Sequence, residues 1–209
     1  MAETSGSEGS ARFERAVASI DAANADDPVT VLVDGVEQPK ELVHADLVEG
    51  WVLALDPGAG ELQLLAARAH HLRRWVSPRT DYPEGRAGYL RWRADHKKRQ
   101  AAEVAEILEA HGYDAGEIER VAAIVAKRGL GSDPQVQTHE DALCLAFLQL
   151  QFDELADQLG DDRMVEVVRK TIAKMSPRGL DAAGTVEMTD RGAALLQAAL
   201  VAPAADSGP

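Results

Sequence analysis

Histidines and cations are concentrated in one stretch of the chain, where they could bind an anion or a metal ion. His70 and His71 end an apolar segment and are followed directly by Arg73, Arg74 and Trp75. Neighbouring positive charges keep an imidazole neutral, and a neutral imidazole can accept a proton or ligate a metal. We therefore predict that His71 faces a cleft; a purely structural role of the histidine pair stays open.

Three polar residues fall on the apolar sides of predicted helices, where burial without a partner is costly. His44 lies on the apolar side of the second helix, Lys97 on that of the fourth, and Asp141 at the start of that of the sixth. We predict that His71, Lys97 and Asp141 converge on one cavity as catalytic residues. A hydrogen-bonded core histidine, a lysine at the core rim and an acid at a helix N-terminus are the alternatives.

Positive charge is distributed very unevenly along the chain. Residues 68–99 contain ten basic and three acidic residues, a net charge of +7, whereas the whole chain carries −13 and the remainder therefore −20. This pattern indicates a local anion site on an otherwise acidic body. We predict that Arg74, Arg79, Arg86 and Arg93 bind the ligand; the alternative is that these arginines pair with the abundant carboxylates.

The segment KMSPRG offers a second set of groups suited to a phosphate. Lys174 supplies a point charge, Ser176 a hydroxyl group and Arg178 a bidentate fork. Pro177 disfavours helical geometry at the preceding residue and Gly179 permits positive φ, so we predict a sharp turn here. An ordinary helix end is the alternative.

Composition and spacing predict an all-α fold of seven or eight helices that position these side chains. Only 4% of the residues are aromatic, and Ala, Leu, Glu and Arg, which favour helices, abound. The only strand-like segment, 29–36, has no evident partner, so we expect an extended connector. The first predicted helix is capped by Ser10, the second begins at Pro39, the third spans Gly60–Val76 and the fourth spans Tyr89–Ala110. The fifth begins at the Asp114/Glu117 capping box, and the sixth follows the 129–138 loop and runs through Leu159. The seventh spans Asp162–Met175, and the last begins at Thr189.

One all-α domain over residues 11–201, with unstructured tails at 1–10 and 202–209, is the expected organisation. No apolar run approaches the roughly 20 residues that span a bilayer, and the N-terminus does not resemble a secretory leader, so we expect a cytoplasmic protein without a membrane partner. The single cysteine, Cys144, lies in an apolar run and is predicted to be a core residue.

An ordered series of motifs resembles the bacterial and fungal domain of unknown function 4202 family. The motifs are AARAHHLRRW, SPRTDYPEGRAGYLRWR, the Lys97-Lys98 pair, DPQVQTHEDALCLAFL and KMSPRG. The resemblance runs from about Phe13 to Gly179. It implies membership of a family whose name assigns no function.

A more distant resemblance implies a mechanism. The order His44, His71, the run EVAEIL and Asp141 is similar to that of the HD metal-dependent phosphohydrolases, helical bundles in which histidines and aspartates hold metal ions that activate water. The resemblance implies an HD-like bundle and His44, His71 and Asp141 as metal ligands. Leu72 replaces the bridging aspartate of that superfamily, so we expect at most one divalent ion; alternatively, Lys97 and the arginines replace the metal's charge.

Two functions from different classes follow. The first is binding of a phosphorylated or otherwise anionic small molecule, such as a nucleotide, in a basic cleft; if the chain is an enzyme, the reaction is phosphoester hydrolysis. The second is RNA binding or an adaptor role through residues 68–99, with Trp75, Tyr82, Tyr89 and Trp92 available for stacking on bases. An enclosed cleft favours the small molecule, and an open basic face favours RNA.

Overall fold

The computed structural model describes the backbone of residues 3–201 and the side chains of residues 11–201. Within this range the chain is mostly helical, with ten α-helices and one two-stranded sheet. The all-α prediction is confirmed, whereas seven or eight helices are too few. The elements are α1 (Glu3–Ala25), β1 (Thr30–Val33), β2 (Val36–Pro39), α2 (Lys40–Leu55), α3 (Glu61–Ala69), α4 (Gly85–Ala110), α5 (Ala115–Val125), α6 (Pro134–Leu150), α7 (Phe152–Leu159), α8 (Asp161–Ile172), α9 (Pro177–Ala183) and α10 (Asp190–Val201).

The chain divides into two compact units between His139 and Glu140, within α6. The expectation of a single domain over residues 11–201 stays a prediction, because compactness along the chain does not measure independent folding. The predicted tails lie partly outside the described residues, which exclude 1–2 and 202–209. α1 begins at Glu3, seven residues before the predicted cap Ser10. No helix of the described residues is long and apolar enough to cross a bilayer.

The first unit is built on an apolar core where α1, α3, α4 and α5 meet. α3 packs against α1, α2 and α5, and α4 packs against α1 and α5. The buried residues of this core are Ala16, Ile20, Leu65, Ala66, Ala69, Leu72, Val104, Leu108, Tyr113, Val121, Ile124 and Val136. The predicted capping box is confirmed: Asp114 accepts hydrogen bonds from the backbone of Gly116 and Glu117, and the Glu117 side chain accepts one from the backbone of Asp114.

Strand β1 has a partner, so the prediction of an unpaired connector is wrong. β1 pairs antiparallel with β2 through the two-residue turn Asp34-Gly35. Both turn residues have positive φ, 51° and 80°, as the favoured two-residue hairpin turn requires. An Asp-Gly pair between alternating residues is the sequence signal of such a hairpin, and the hairpin delivers the chain directly into α2.

Helix α3 ends at Ala69, seven residues before the predicted end at Val76. Arg73 adopts a left-handed conformation with φ 46°, which is incompatible with a continued helix. A short 3₁₀ turn, Arg74–Val76, follows. His70 and His71 therefore lie in an irregular turn after α3.

The phase predicted for the first part of α4 is wrong. Lys97 is exposed, as are Leu90 and Ala94, and the buried residues there are Gly88, His96 and Gln100. Toward the end of the helix the predicted core positions Val104 and Leu108 are confirmed as buried.

In the second unit, α8 packs against α7 and α10. The predicted sixth helix is two helices, α6 and α7, separated at Gln151. Leu148 and Phe152 are both buried on either side of this break, so the apolar spacing continues through it and does not reveal it. The predicted starts of the seventh and last helices are confirmed to within one residue by α8 and α10.

Candidate metal centre

Two residues of the site lie one turn apart at the start of α2. Glu41 and His44 are 7% and 3% exposed, respectively. The buried carboxylate of Asp27 fixes this helix end, because it accepts hydrogen bonds from the backbone N–H of Glu41 at 3.0 Å and of Val29 at 2.9 Å. The hairpin and this cap together set the direction in which α2 begins.

His71 approaches Glu41 and His44 from the turn after α3. Its Nδ1 lies 3.0 Å from Oε2 of Glu41. Its ring stacks on that of His44, with ring centroids 3.9 Å apart and planes inclined by 17°. One ligand atom from each of Glu41, His44 and His71 lies within 4.8 Å of the others. We call these three residues the Glu-His-His cluster.

Burial keeps both histidines of the cluster neutral. Burial is the largest cause lowering the pKa of His44 to about 3, and the positive charges of Arg74, Lys40 and Lys127 add to it. Burial likewise lowers the pKa of His71 well below its usual range, with His44 and Arg74 contributing. At neutral pH each imidazole therefore keeps a lone pair, as a metal ligand must.

The carboxyl group of Glu41 responds in the opposite direction. Burial raises its pKa to about 7, and the nearby charge of Asp27 raises it further, although Arg74 and Lys40 counteract both. Near neutral pH a proton is thus easily lost from Glu41, and a bound cation would remove it. The affinity of the cluster for a metal should therefore increase as the pH rises through 7.

The residue types and spacing of the cluster fit one divalent transition-metal ion. Two imidazoles and a carboxylate are common ligands of zinc, iron and manganese. Ligand atoms about 2.1 Å from a tetrahedral zinc ion lie about 3.4 Å from one another. The three ligand atoms lie within 4.8 Å of one another, so side chains of the cluster must move closer together to bind an ion. Leu72, which follows His71, is fully buried in the apolar core and supplies no bridging ligand.

Two more histidines extend the cluster. His70 lies with its ring centroid 4.9 Å from that of His71, and its Nδ1 is 3.2 Å from Nε2 of His139 in α6. Burial lowers the pKa of His139 to about 3 and that of His70 well below its usual range. His139 is fully buried, and its Nδ1 has no hydrogen-bond partner among the described residues.

Arg74 is the predicted ligand-binding arginine that contacts the cluster. Its Nη1 lies 2.5 Å from Nε2 of His71, and its guanidinium carbon lies 5.7 Å from the ring centroid of Trp92. Trp92 is held in place because its Nε1 donates a hydrogen bond to the carbonyl of Ser77 at 2.8 Å. The indole also stacks on His96, with centroids 5.8 Å apart.

The other predicted residues of segment 68–99 have different surroundings. Arg79 donates hydrogen bonds to the backbone carbonyls of Tyr82 and Pro83, both at 2.9 Å, and so closes its own loop. Arg86 is exposed, and Arg93 is exposed over the ring of Tyr89. Lys97 was predicted to be catalytic because it was expected to lie on the buried side of its helix. Lys97 is exposed, so this reason no longer holds.

Asp141, Lys174, Ser176 and Arg178 belong to the second unit. The carboxylate of Asp141 accepts hydrogen bonds from the backbone N–H of Ser176 at 2.8 Å and from its hydroxyl group, and Ser176 caps α9. The sharp turn is confirmed, since Ser176 is extended and Pro177 opens a helix. Lys174 lies 3.7 Å from a carboxylate oxygen of Glu140, and Arg178 is exposed.

Gly179 is required for a reason other than the predicted positive φ. It lies within α9, and a Cβ atom there would be 2.6 Å from Cγ of Asp141. The glycine therefore permits close approach of the helix to the carboxylate.

His44, His71 and Arg74 were predicted from the sequence, whereas Glu41 and His139 were not. Glu41 had a local signal, because a glutamate three residues before a histidine on a helix shares its face. His139 had none, since a single histidine near the start of a helix is unremarkable until its neighbour His70 is placed beside it.

The family described as Domain of unknown function (DUF4202) matches residues 14–196, a range that includes the whole Glu-His-His cluster. No curated protein and no solved structure matches the chain. The resemblance to the HD superfamily gains no support from these comparisons and stays a prediction.

Proposed function

Because the chain belongs to the family Domain of unknown function (DUF4202), whose description assigns no activity, we propose its function from the site alone. The chain binds one divalent metal ion through Glu41, His44 and His71 and hydrolyses a phosphoester. The convergence of three ligand atoms within 4.8 Å, from two separate segments, is the observation that carries this proposal. Three protein ligands leave a position open for water or substrate, as in catalytic zinc sites.

Glu41 is the proposed carboxylate ligand in place of Asp141. The oxygens of Asp141 accept hydrogen bonds from Ser176, whereas Oε2 of Glu41 faces His71. The charge of Glu41 also offsets part of the charge of the ion. A bound ion would supply a water of lowered pKa and a positive charge for a phosphoryl oxygen.

Positive charge around the cluster supports an anionic substrate. Arg74, Lys40 and Lys127 are all close enough to lower the pKa of His44. Because like charges repel, these cations disfavour the binding of a metal ion alone. They favour the binding of a metal ion together with an anion. A phosphorylated small molecule, such as a nucleotide, meets this requirement.

RNA binding by residues 68–99 has less support. Arg68 is buried and pairs with Asp21, Asp46 and Glu49, and Arg79 binds backbone carbonyls. Arg99 likewise donates hydrogen bonds to Glu103 and to the carbonyl of Arg73, both at 2.9 Å. Several of the ten cations are thus turned toward the protein. RNA remains an outcome for which the purified protein should be tested.

The proposal is tested by metal content and by hydrolysis. After loading with Zn²⁺, Mn²⁺ or Fe²⁺ and dialysis, we expect about one equivalent of metal in the wild type and a loss of at least tenfold in metal affinity in Glu41→Gln and His44→Gln. His111→Gln is the matched control, because the ring of His111 contacts Ser19 and is outside the cluster. Equal metal content in all four proteins would overturn the metal site.

Activity is then measured on p-nitrophenyl phosphate, its diester and a panel of nucleotides. We expect hydrolysis in the metal-loaded wild type and in His111→Gln but not in the two cluster variants. A metal-loaded protein that hydrolyses none of these esters, and instead binds a single-stranded RNA, would refute the proposed reaction while leaving the metal site.

A further inference from the structure

Each ring nitrogen of His71 takes part in one hydrogen bond, and Arg74 determines which nitrogen carries the proton. A guanidinium group has donors only, so Nε2 of His71, 2.5 Å from Nη1 of Arg74, must accept. The neutral ring therefore carries its hydrogen on Nδ1, which donates to Oε2 of Glu41 at 3.0 Å. Arg74, His71 and Glu41 form one directed chain of hydrogen bonds.

A metal ion on His71 is incompatible with this chain at either nitrogen. An ion at Nε2 takes the lone pair that Arg74 uses and the space beside it. An ion at Nδ1 forces the ring hydrogen onto Nε2, where two N–H donors would face each other at 2.5 Å. In both cases the ion can occupy His71 only if it displaces the guanidinium of Arg74.

A displaced guanidinium of Arg74 would still have Trp92 beside it, close to the cluster. Arg74 begins the short 3₁₀ turn Arg74–Val76, and its guanidinium carbon is already within 5.7 Å of the centre of the Trp92 ring, a favourable surface for a cation. A guanidinium beside a divalent ion is repelled unless an anion lies between them, and its planar fork suits two oxygens of a phosphoryl group.

We infer that Arg74 is the oxyanion-binding residue of the metal-loaded site and that the metal releases it for this role, so that metal and phosphoryl group bind in order. This inference rests on the proposed metal site. Without metal, Arg74 is hydrogen-bonded to His71, and its guanidinium group is not available to bind the anion. With metal, the anion bridges the ion and Arg74. Because coupling between two ligands is reciprocal, the anion also tightens metal binding.

The variant Arg74→Ala tests this inference, with Arg73→Ala as the matched control. Both variants remove one positive charge from adjacent positions, but the guanidinium of Arg73 lies 3.7 Å from the carboxylate of Glu103, whereas that of Arg74 contacts His71. The probes are Co²⁺, whose visible absorption reports its ligands, and inorganic phosphate. Affinity for Co²⁺ is measured without phosphate, and affinity for phosphate is measured with and without Co²⁺; thermal unfolding of the metal-free variants verifies that they fold.

We expect Arg74→Ala to bind Co²⁺ about tenfold or more tightly than Arg73→Ala, since the ion no longer displaces a charged hydrogen bond. We also expect phosphate to bind the wild type at least tenfold more tightly with Co²⁺ present, and Arg74→Ala to lose this gain. Equal Co²⁺ affinity in the two variants, or equal phosphate affinity with and without metal, overturns the inference.

Failure of the underlying site gives a different result. If Glu41→Gln binds Co²⁺ as tightly as the wild type, the Glu-His-His cluster is not the metal site, and the proposed function fails together with the inference. If Glu41→Gln loses Co²⁺ but Arg74→Ala behaves as Arg73→Ala does, only the role of Arg74 is refuted.

Discussion

Replacing His139 should make the protein more resistant to acid. Burial lowers the pKa of this histidine to about 3, and the positive charge of Lys127 contributes. The unfolded chain, in which the pKa is close to 6.5, therefore binds the proton more strongly than the folded chain. A depressed pKa of this kind contributes stability above pH 6.5 that is lost as the pH falls toward 3.

The size of the effect follows from the shift. Each pKa unit corresponds to about 1.4 kcal/mol, so His139 should cost about 2 kcal/mol of the free energy of unfolding between pH 7 and pH 5. That is a large part of the 5–15 kcal/mol typical of a domain. Glu41 acts in the opposite direction, because its raised pKa stabilises the fold as the pH falls from 7 toward 4.5. Only a comparison with a variant therefore isolates His139.

The assay is urea unfolding followed by circular dichroism at pH 7, 6 and 5. His139→Gln replaces the imidazole by an amide group that does not titrate, and the stability advantage of the wild type over this variant should shrink by about 2 kcal/mol from pH 7 to pH 5. Val136→Ala, one turn earlier in the same core, should lose a constant amount at every pH. If the difference between wild type and His139→Gln does not change with pH, the argument from burial is wrong.

Three further predictions concern residues that support the fold. Asp141→Ala should lower the free energy of unfolding by about 2–3 kcal/mol, because the charged hydrogen bonds that hold Ser176, the cap of α9, are lost, and should leave the metal content unchanged; lost metal would show that Asp141 is a ligand after all. Gly179→Ala should cost about 1–3 kcal/mol in urea unfolding, since its Cβ would lie 2.6 Å from Cγ of Asp141, and an unchanged stability would contradict this packing. Arg68→Met should cost about 3 kcal/mol, the low end for a broken buried ion pair because its carboxylate partners are partly exposed; a loss below about 1 kcal/mol in a thermal melt would mean that the pairs contribute as little as surface ones.

Local interactions in the sequence determined most of the helices and part of the site. Apolar residues three and four apart fix a helix and its buried face without reference to the rest of the chain. The Asp114/Glu117 capping box was predicted and is present for the same reason, since both partners lie within one turn. His44 and His71 were identified because their positions depart from the pattern of their surroundings.

The buried face of α4 could not be predicted from local spacing alone. Small and polar residues occur on several of its faces, so Lys97 and His96 were both compatible with the core-facing side. The structure buries His96 and Gln100, because Gln100 donates a hydrogen bond at 2.8 Å to the carbonyl of Ala69 at the end of α3. A polar face is thus buried to satisfy a backbone group 31 residues away, which no local spacing reveals.

The functional cluster depends on the same kind of long-range contact. The sequence was enough to place His44 on the apolar side of α2 and to show a histidine pair at the end of an apolar segment, and the spacing of Glu41 and His44 puts them on one helix face. Only the tertiary structure decided that Glu41 faces His71, that His139 meets His70, and that Arg74 is the arginine in contact with this cluster. Helical periodicity sets which side chains share a face, but which faces meet is decided by the packing of the whole core and by the burial that shifts each pKa.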